Sequence, residues 1–234
     1  MPAESPAPAV ARHERGCAAR NKLIAAGLKI YSEVGYAGAS TRRLAAAAGV
    51  NIAAIPYYFG GKEGLYLAVI DHIVDYYQKN LGAGLLQIRQ TLHDQKTTPE
   101  ERYALLDAYM RLLVHSILRE SKESLQISRI YVREQLDPTS AFNRLYDGFV
   151  RDMRQTLEAL VAAILEMDGR SSEVKLIAET LLGQVAIFKS SRVTVLYNLG
   201  WENYGEERMA AIERIVTFNV KALMQAYRKK DTVV

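Results

Sequence analysis

Residues 40–62 read STRRLAAAAGVNIAAIPYYFGGK, and the way they divide decides how the rest of the chain is read. Ser40 or Thr41 can cap a short helix from Thr41 to Ala48, its hydroxyl accepting from one of the backbone N–H groups that a first turn leaves unpaired. Gly49 stops that helix. Asn51 can cap a second short helix through about Tyr58, and Gly60-Gly61 break the chain before a longer helix beginning near Lys62. Ala45, Ala48 and Gly49 permit a close crossing, Leu44, Val50 and Ile55 are the inward-facing apolar set, and Ala53 and Ala54 leave the outer surface slim. Two short helices around a glycine turn are the layout in which one helix braces on a DNA backbone while the next enters the major groove. A plain helical hairpin packed through alanines has the same spacing, so spacing alone leaves both readings open.

Outward from this stretch, the pattern is helical throughout. Leu23, Gly27, Ile30 and Val34 recur at helical spacing, which predicts a helix from about Ala18 to Val34 that Gly35 ends. Downstream, Lys62 to about Leu81 is helical until the glycines at 82 and 84 weaken it. Thr98-Pro99-Glu100-Glu101 then sets a capping threonine, a proline at the first helical position and a reciprocating glutamate in order. The helix started there should reach about Arg119. Further helices are expected over Lys122–Leu136, Ser140–Met167 (closed by Gly169), Ser172–Leu199 and Glu206–Lys229, the last two flanking a Gly200-Trp201 turn. The six prolines, at 2, 6, 8, 56, 99 and 138, avoid the long helical runs. The expected fold is all-α: an arm over 1–16, a three-helix helix-turn-helix domain over 17–65, and a helical domain over 66–234.

Charge sharpens the division. The net charge of the 234 residues is +4, and the first seventy carry eight Lys/Arg against four acids, so the whole excess lies in the N-terminal third. A polyanionic partner is favoured there by Coulomb attraction and counterion release. The Pro/Ala-rich opening reads as a disordered arm whose Arg12, His13 and Arg15 can reach DNA. It lacks the apolar core of a secretory signal, and no later stretch is long and apolar enough for a membrane span. Cys17 is the single cysteine and no metal-ligand spacing is present, so a cytoplasmic protein without cofactor or structural metal is expected.

At KLIAAGLKIYSEVGYAGASTRRLAAAAGVNIAAIPYYFGGKEGLYLAVI, residues 22–70, the chain resembles the TetR family of bacterial regulators. The resemblance rests on Gly-aromatic, Ser/Thr-Thr, Ala-Gly-Val, an aromatic pair with Phe, and Lys-Glu in order. It implies that Thr41 and Arg42 open the supporting helix at the DNA backbone, that Ile52, Ala53, Ala54, Tyr57 and Tyr58 face DNA, and that Lys62 meets a phosphate. Because the alanines cannot make hydrogen-bonding contacts to bases, specificity leans on Arg42 or Arg43 reaching a base edge, or on DNA deformability. Pro56 stands where most relatives have a backbone-contacting tyrosine, which puts that contact in doubt and predicts a late or distorted recognition helix. NIAAI-x-YYF, with Gly183, Gln184, Phe188 and Arg192 and with LGW-x-x-Y at Leu199–Tyr204, is similar to the CecR-type branch. A homodimer on a near-palindromic double-stranded operator, controlled by a small-molecule effector, is what this resemblance implies.

Enzymatic chemistry has little to stand on. The histidines at 13, 72, 93 and 115 are scattered, Gly60-Gly61-Lys62 lacks the spacing of a phosphate loop, and Asp71 and Asp75 read as a solvated helix face. In the second domain, polar side chains interrupt apolar faces at Arg129, Arg133, Gln184, Lys189 and Arg192, with Tyr109, Tyr131 and Phe188 at helical spacing. Of these, Tyr109, Arg129, Arg133, Gln184, Phe188 and Arg192 are the candidate effector contacts, with ion pairs to Glu134 or Glu179 as the competing explanation. A dimer seam is expected along Leu181, Val185, Ile212, Val216 and Leu223.

Overall fold

A computed structural model describes residues 8–93 and 97–230, the side chains of 8–15 and 229–230 excepted. Among the described residues all regular structure is helical. The chain divides into two compact units, Met1–Ile73 with Leu125–Leu145, and Val74–Ser124 with Tyr146–Val234. The expected single cut between residues 65 and 66 is therefore replaced by one after Ile73, and a later segment rejoins the N-terminal unit.

The first unit holds α1 (Pro8–Gly38), α2 (Thr41–Ala48), α3 (Ala54–Phe59), the start of α4 (Lys62–Tyr77), most of α7 (Lys122–Leu136) and α8 (Phe142–Leu145). Helix α1 begins ten residues before the expected Ala18: proline is tolerated at a first helical position, and the Ala/Arg/Glu-rich stretch after it favours helix. Residues 8–16 of the expected disordered arm are thus helical. Residues 1–7 lie outside the described residues, as do the side chains of Arg12, His13 and Arg15. Gly35 interrupts α1 with φ 71° and ψ 179°, a conformation that favours glycine. Leu23, Tyr31, Leu44, Ile55, Leu65, Ile70 and Ile127 form the core of this unit and are fully buried.

The second unit contains α5 (Ala83–His93), α6 (Pro99–Leu118), α9 (Arg151–Leu165), α10 (Ser172–Ser190), α11 (Arg192–Leu199) and α12 (Glu206–Lys230). The helix start at Thr98 forms as expected: the Thr98 hydroxyl accepts from Glu101 N–H at 3.2 Å, and Glu101 Oε2 accepts from Thr98 N–H at 2.7 Å. Where glycines 82 and 84 were expected to weaken a helix, a π-helical turn over Gln78–Gly82 intervenes, and a second over Tyr146–Val150 divides the expected 140–167 helix. The two π turns meet, with Tyr77 stacked on Phe149 at 4.2 Å and Gln78 Nε2 donating to the Gly148 carbonyl at 2.9 Å. Helix α9 ends at Glu166, in the left-handed region at φ 59°, before Gly169 is reached. The expected 172–199 helix breaks at Ser191, where Ser190 bonds back to Ala186 O and the β-branched Val193, Thr194 and Val195 follow.

Candidate nucleic-acid and effector sites

Helix α2 is capped at both ends by the residues that suit those ends. The Ser40 hydroxyl accepts from Arg43 N–H at 3.2 Å, Gly49 takes φ 64°, and Val50 N–H returns to Ala45 O at 3.1 Å. Leu44, Ala45 and Ala48 face inward, while Arg42, Ala46 and Ala47 face solvent. Thr41 is the first helical residue and Arg42 lies exposed beside it. Arg43 is tied to Glu33 at 3.1 Å; because both side chains are well exposed, that pair is worth under about 1 kcal/mol and positions Arg43 without fixing it.

Asn51 acts as expected on the turn but not on the helix. Its side chain accepts from Ala53 N–H at 2.9 Å, and its carbonyl and that of Ile52 accept from Ala54 and Ile55, so residues 51–55 wind through tight i+3 bonds. Helix α3 then begins at Ala54, which puts Pro56 at its third position, where a backbone N–H has no partner within the helix. The late start expected from Pro56 is observed, and the proline consequently removes no helical hydrogen bond. The outer surface is Ile52, 47% exposed, Ala53, half-buried Ala54, and Tyr57, 81% exposed. Tyr58 is half-buried with its hydroxyl beside Gly16 of α1, and it packs edge-on against Tyr57 at 4.8 Å. Lys62 Nζ sits 4.4 Å above the Tyr36 ring, held at the start of α4.

This unit is braced from behind by residues far along the chain. The Tyr66 hydroxyl donates to Glu134 Oε1 at 2.6 Å, and the Glu134 carboxylate, 2% exposed, also accepts from Thr139 N–H and from its hydroxyl. Burial first, and then this bond, hold the Tyr66 hydroxyl protonated well above the usual tyrosine range. Arg133 Nη2 donates to Glu33 O at 3.0 Å, and a methyl on Gly35 would lie 2.6 Å from its Nη1. Arg144 pairs with Asp71 at 2.5 Å and Ser140 donates to Glu63 at 3.1 Å.

The candidate effector residues separate into three places. Arg129 and Arg133 belong to the first unit, Arg129 exposed and Arg133 donating to the Glu33 carbonyl. Tyr109 is a core residue of the second unit, fully buried with its hydroxyl donating to Met153 O at 2.8 Å. Phe188 and Arg192 meet at Tyr204, and Gln184 lies one turn before Phe188 on α10. Arg192 Nε donates to Glu120 Oε1 at 2.5 Å, Glu120 Oε2 accepts from Tyr204 N–H at 3.1 Å, and the Tyr204 hydroxyl donates to Phe188 O at 2.7 Å. The expected competitors are used elsewhere, Glu179 on Arg154 and Glu134 on Tyr66. Gln184 Oε1 is buried with no hydrogen-bond partner. Lys189 joins the cluster with its ammonium pushed down to about 8, by burial and by Arg192, against the pull of Glu120. Glu120 and Tyr204 were not among the residues singled out: Glu120 carries no sequence signal, and Tyr204 was visible only as the end of LGW-x-x-Y.

Residues 23–69 match the family described as bacterial regulatory proteins, tetR family, and residues 99–227 match the one described as the HTH-type transcriptional dual regulator CecR, C-terminal domain. Over 218 residues the chain is 30% identical to the HTH-type transcriptional dual regulator CecR of Shigella flexneri, covering 93% of this chain and 96% of that protein. Its fold is similar to that of AibR, solved with isovaleryl coenzyme A and operator DNA, at TM-score 0.60 and 17% identity over 85% of this chain and 96% of AibR. Mycobacterium smegmatis AmtR gives 0.56 and 17% over 92% and 94%.

Proposed function

We propose, from the premise that this chain belongs to the TetR family of DNA-binding transcriptional regulators and carries a C-terminal domain of the CecR type, that it is a homodimeric repressor released by a small effector. The observation that carries the DNA half of this reading is the exposed face of α2 and α3. Apolar Ile52 and Ala53 can sense thymine methyl groups and groove shape, Tyr57 and the start of α4 supply donors to phosphate, and Arg42 is the exposed hydrogen-bonding side chain at the edge. The reading is tested by fluorescence anisotropy with DNA fragments from around the gene. One fragment should bind far more tightly than random duplex. Lys62→Ala should weaken both and reduce the slope of log affinity against log salt by about one unit, whereas Arg42→Ala should relax preference at one base pair. Uniform binding to all duplexes would overturn it.

The effector half rests on the Gln184–Lys189–Arg192 cluster. Two cations share one carboxylate there, and an unpartnered buried acceptor lies on the same helix as Lys189. A ligand with an anionic group and a hydrogen-bond donor answers both, and such an anion would contact Lys189 while drawing Arg192 from Glu120. AibR, whose structure holds an acyl-coenzyme A, supports an anionic amphipath as the effector class. Effector and operator must weaken each other's binding by one factor.

The depressed ammonium has a consequence for stability. Its folded pKa lies below the unfolded value, so the charged form is disfavoured in the fold, and the penalty is fully present below about pH 8 and relieved as pH rises toward the unfolded lysine value. Lys189→Met should therefore melt higher than the parent at pH 7, with the gap closing between pH 8 and 10. Melts in parallel at both pH values check this, with the difference between proteins as the readout because buried Tyr31, Tyr66 and Tyr109 act in the opposite direction above pH 10.

The dimer half rests on what the protomer leaves uncovered. Leu181, Val185, Ile212 and Val216 of the expected seam are core residues of the single protomer, at most 3% exposed, because each lies on the inner stripe of its helix, whereas the fifth seam residue, Leu223, is 40% exposed. The outer stripes are Leu176, Thr180, Gly183 and Ile187 on α10, and Ile215, Phe218 and Ala222 on α12. Phe218 is 72% exposed and Leu176 66%. Gly183 sits mid-helix with open space where a side chain would stand, so nothing inside the protomer requires glycine there. A close approach by the same helix of a second copy does require it, and offsets the roughly 1 kcal/mol that a helical glycine costs.

A further inference from the structure

A cavity of about 470 Å³ opens between α6 and α12 of the second unit, within the size range of small-molecule sites. Its floor is apolar, from buried Leu106 and Val220. Its two walls carry opposite charge. Glu100 and Asp107 stand two turns apart on α6, and Lys221 and Arg228 stand two turns apart on α12. Charges of opposite sign facing each other between packed helices usually close into ion pairs, yet no ion pair engages Glu100 or Lys221 among the described residues, and Asp107 is held by Arg111 on its own helix at 2.9 Å. On the α6 wall between the two acids stands Tyr103, whose hydroxyl is buried and has no hydrogen-bond partner. A buried hydroxyl without a partner is a standing cost that a ligand can relieve.

We propose that this cavity is a binding site for a small dipolar molecule that bears an ammonium and a carboxylate on an apolar body. The ammonium lies against Glu100, with the charge of Asp107 on the same wall adding to the attraction, the carboxylate lies against Lys221, and the Tyr103 hydroxyl takes a hydrogen bond from or to the polar end nearest it. An anion alone is repelled by the α6 wall and a cation alone by the α12 wall, so the site selects for both charges on one molecule. The residues are separate from the Glu120, Lys189 and Arg192 cluster, so this site goes beyond the effector reading and does not depend on it.

The test uses the full-length protein, titrated calorimetrically with γ-aminobutyrate and ε-aminocaproate, and with caproate and hexylamine as singly charged analogues. At least one amino acid should bind with saturable heat, and both singly charged analogues should bind at least about ten-fold more weakly, the equivalent of one lost charge contact. Glu100→Gln and Lys221→Met, both at exposed positions, should each weaken that amino acid about ten-fold with the melting temperature of the free protein unchanged, and Tyr103→Phe about five-fold with the melting temperature of the free protein raised, since the unpaired hydroxyl is gone; operator affinity should be unchanged in all three. No heat from either amino acid, equal binding of caproate or hexylamine, or undiminished binding to all three variants overturns the site. None of those results touches the operator measurement above.

Discussion

Aspartate at Phe218 and Ile187 together should convert the protein into a folded monomer whose operator affinity falls by on the order of a hundred-fold or more. The size of the effect follows from valency. Two helix-turn-helix units joined in one dimer engage two half-sites, and the second engagement is intramolecular, which is worth about two to four decades over either unit alone. Splitting the dimer removes that gain while leaving each recognition helix intact. Both positions are solvent-facing in the protomer, so charge there burdens only the interface. Ile212→Asp is the control, since Ile212 is a core residue at 3% exposure and its replacement should unfold the protomer instead. Gly183→Leu should act as a milder version, strengthening α10 as an isolated helix while blocking close approach. Sedimentation velocity with anisotropy on the same samples decides the matter. A double-aspartate protein that remains a dimer sinks this interface, and a monomer with unchanged operator affinity sinks the two-half-site reading.

Local chemistry made much of this fold legible. Thr98 and Glu101 satisfy each other's backbone groups within four residues, Ser40 and Gly49 bound α2, and each signal needs only its immediate neighbours. Sequence reading failed where the outcome depends on which helix face meets which neighbour. The seam residues show this: periodicity identifies an apolar stripe but not whether it is covered by its own chain or by a second copy. The 172–199 helix failed for a related reason, because the Ser190-Ser191 break and the following β-branched run lower helix propensity only modestly, and the surroundings decide the outcome.

The recognition unit was the better case, since its order of small, apolar and aromatic residues is tightly specified. Even there, two particulars depend on contacts between helices that sequence order does not show. Arg43 is engaged by Glu33, ten residues earlier, on another helix. Lys62 lies over Tyr36 instead of reaching straight outward. Pro56 is absorbed by a late helix start, as its position warned. Arg129 and Arg133 mark the opposite limit: both interrupt an apolar pattern as a pocket lining would, yet Arg133 has found a backbone carbonyl a hundred positions away in sequence.

The same segment supplies the second large effect. Glu134→Ala should destabilise the protein by about 3 kcal/mol, because it strips an acceptor from three donors at once, the Tyr66 hydroxyl and both groups of Thr139, and leaves the buried ones unpaired. Glu134→Gln keeps one acceptor oxygen and should cost roughly half as much. Tyr66→Phe removes the hydroxyl and its need for a partner together, so it should cost only about 1 kcal/mol. The pair Tyr66→Phe with Glu134→Ala should then be clearly less destabilised than the sum of the single changes, since the orphaned hydroxyl is gone in the double variant. Urea titrations of the four proteins provide the cycle. Strict additivity would mean that the 2.6 Å bond contributes nothing beyond its separate halves, and the 125–145 segment would lose its standing as the brace of the helix-turn-helix. If the coupling is present, operator affinity measured well below each variant's melting point should fall with Glu134→Ala although that side chain is buried and faces no DNA, because Tyr66 lies four positions into the turn that begins at Lys62 and its hydroxyl is what Glu134 holds in place.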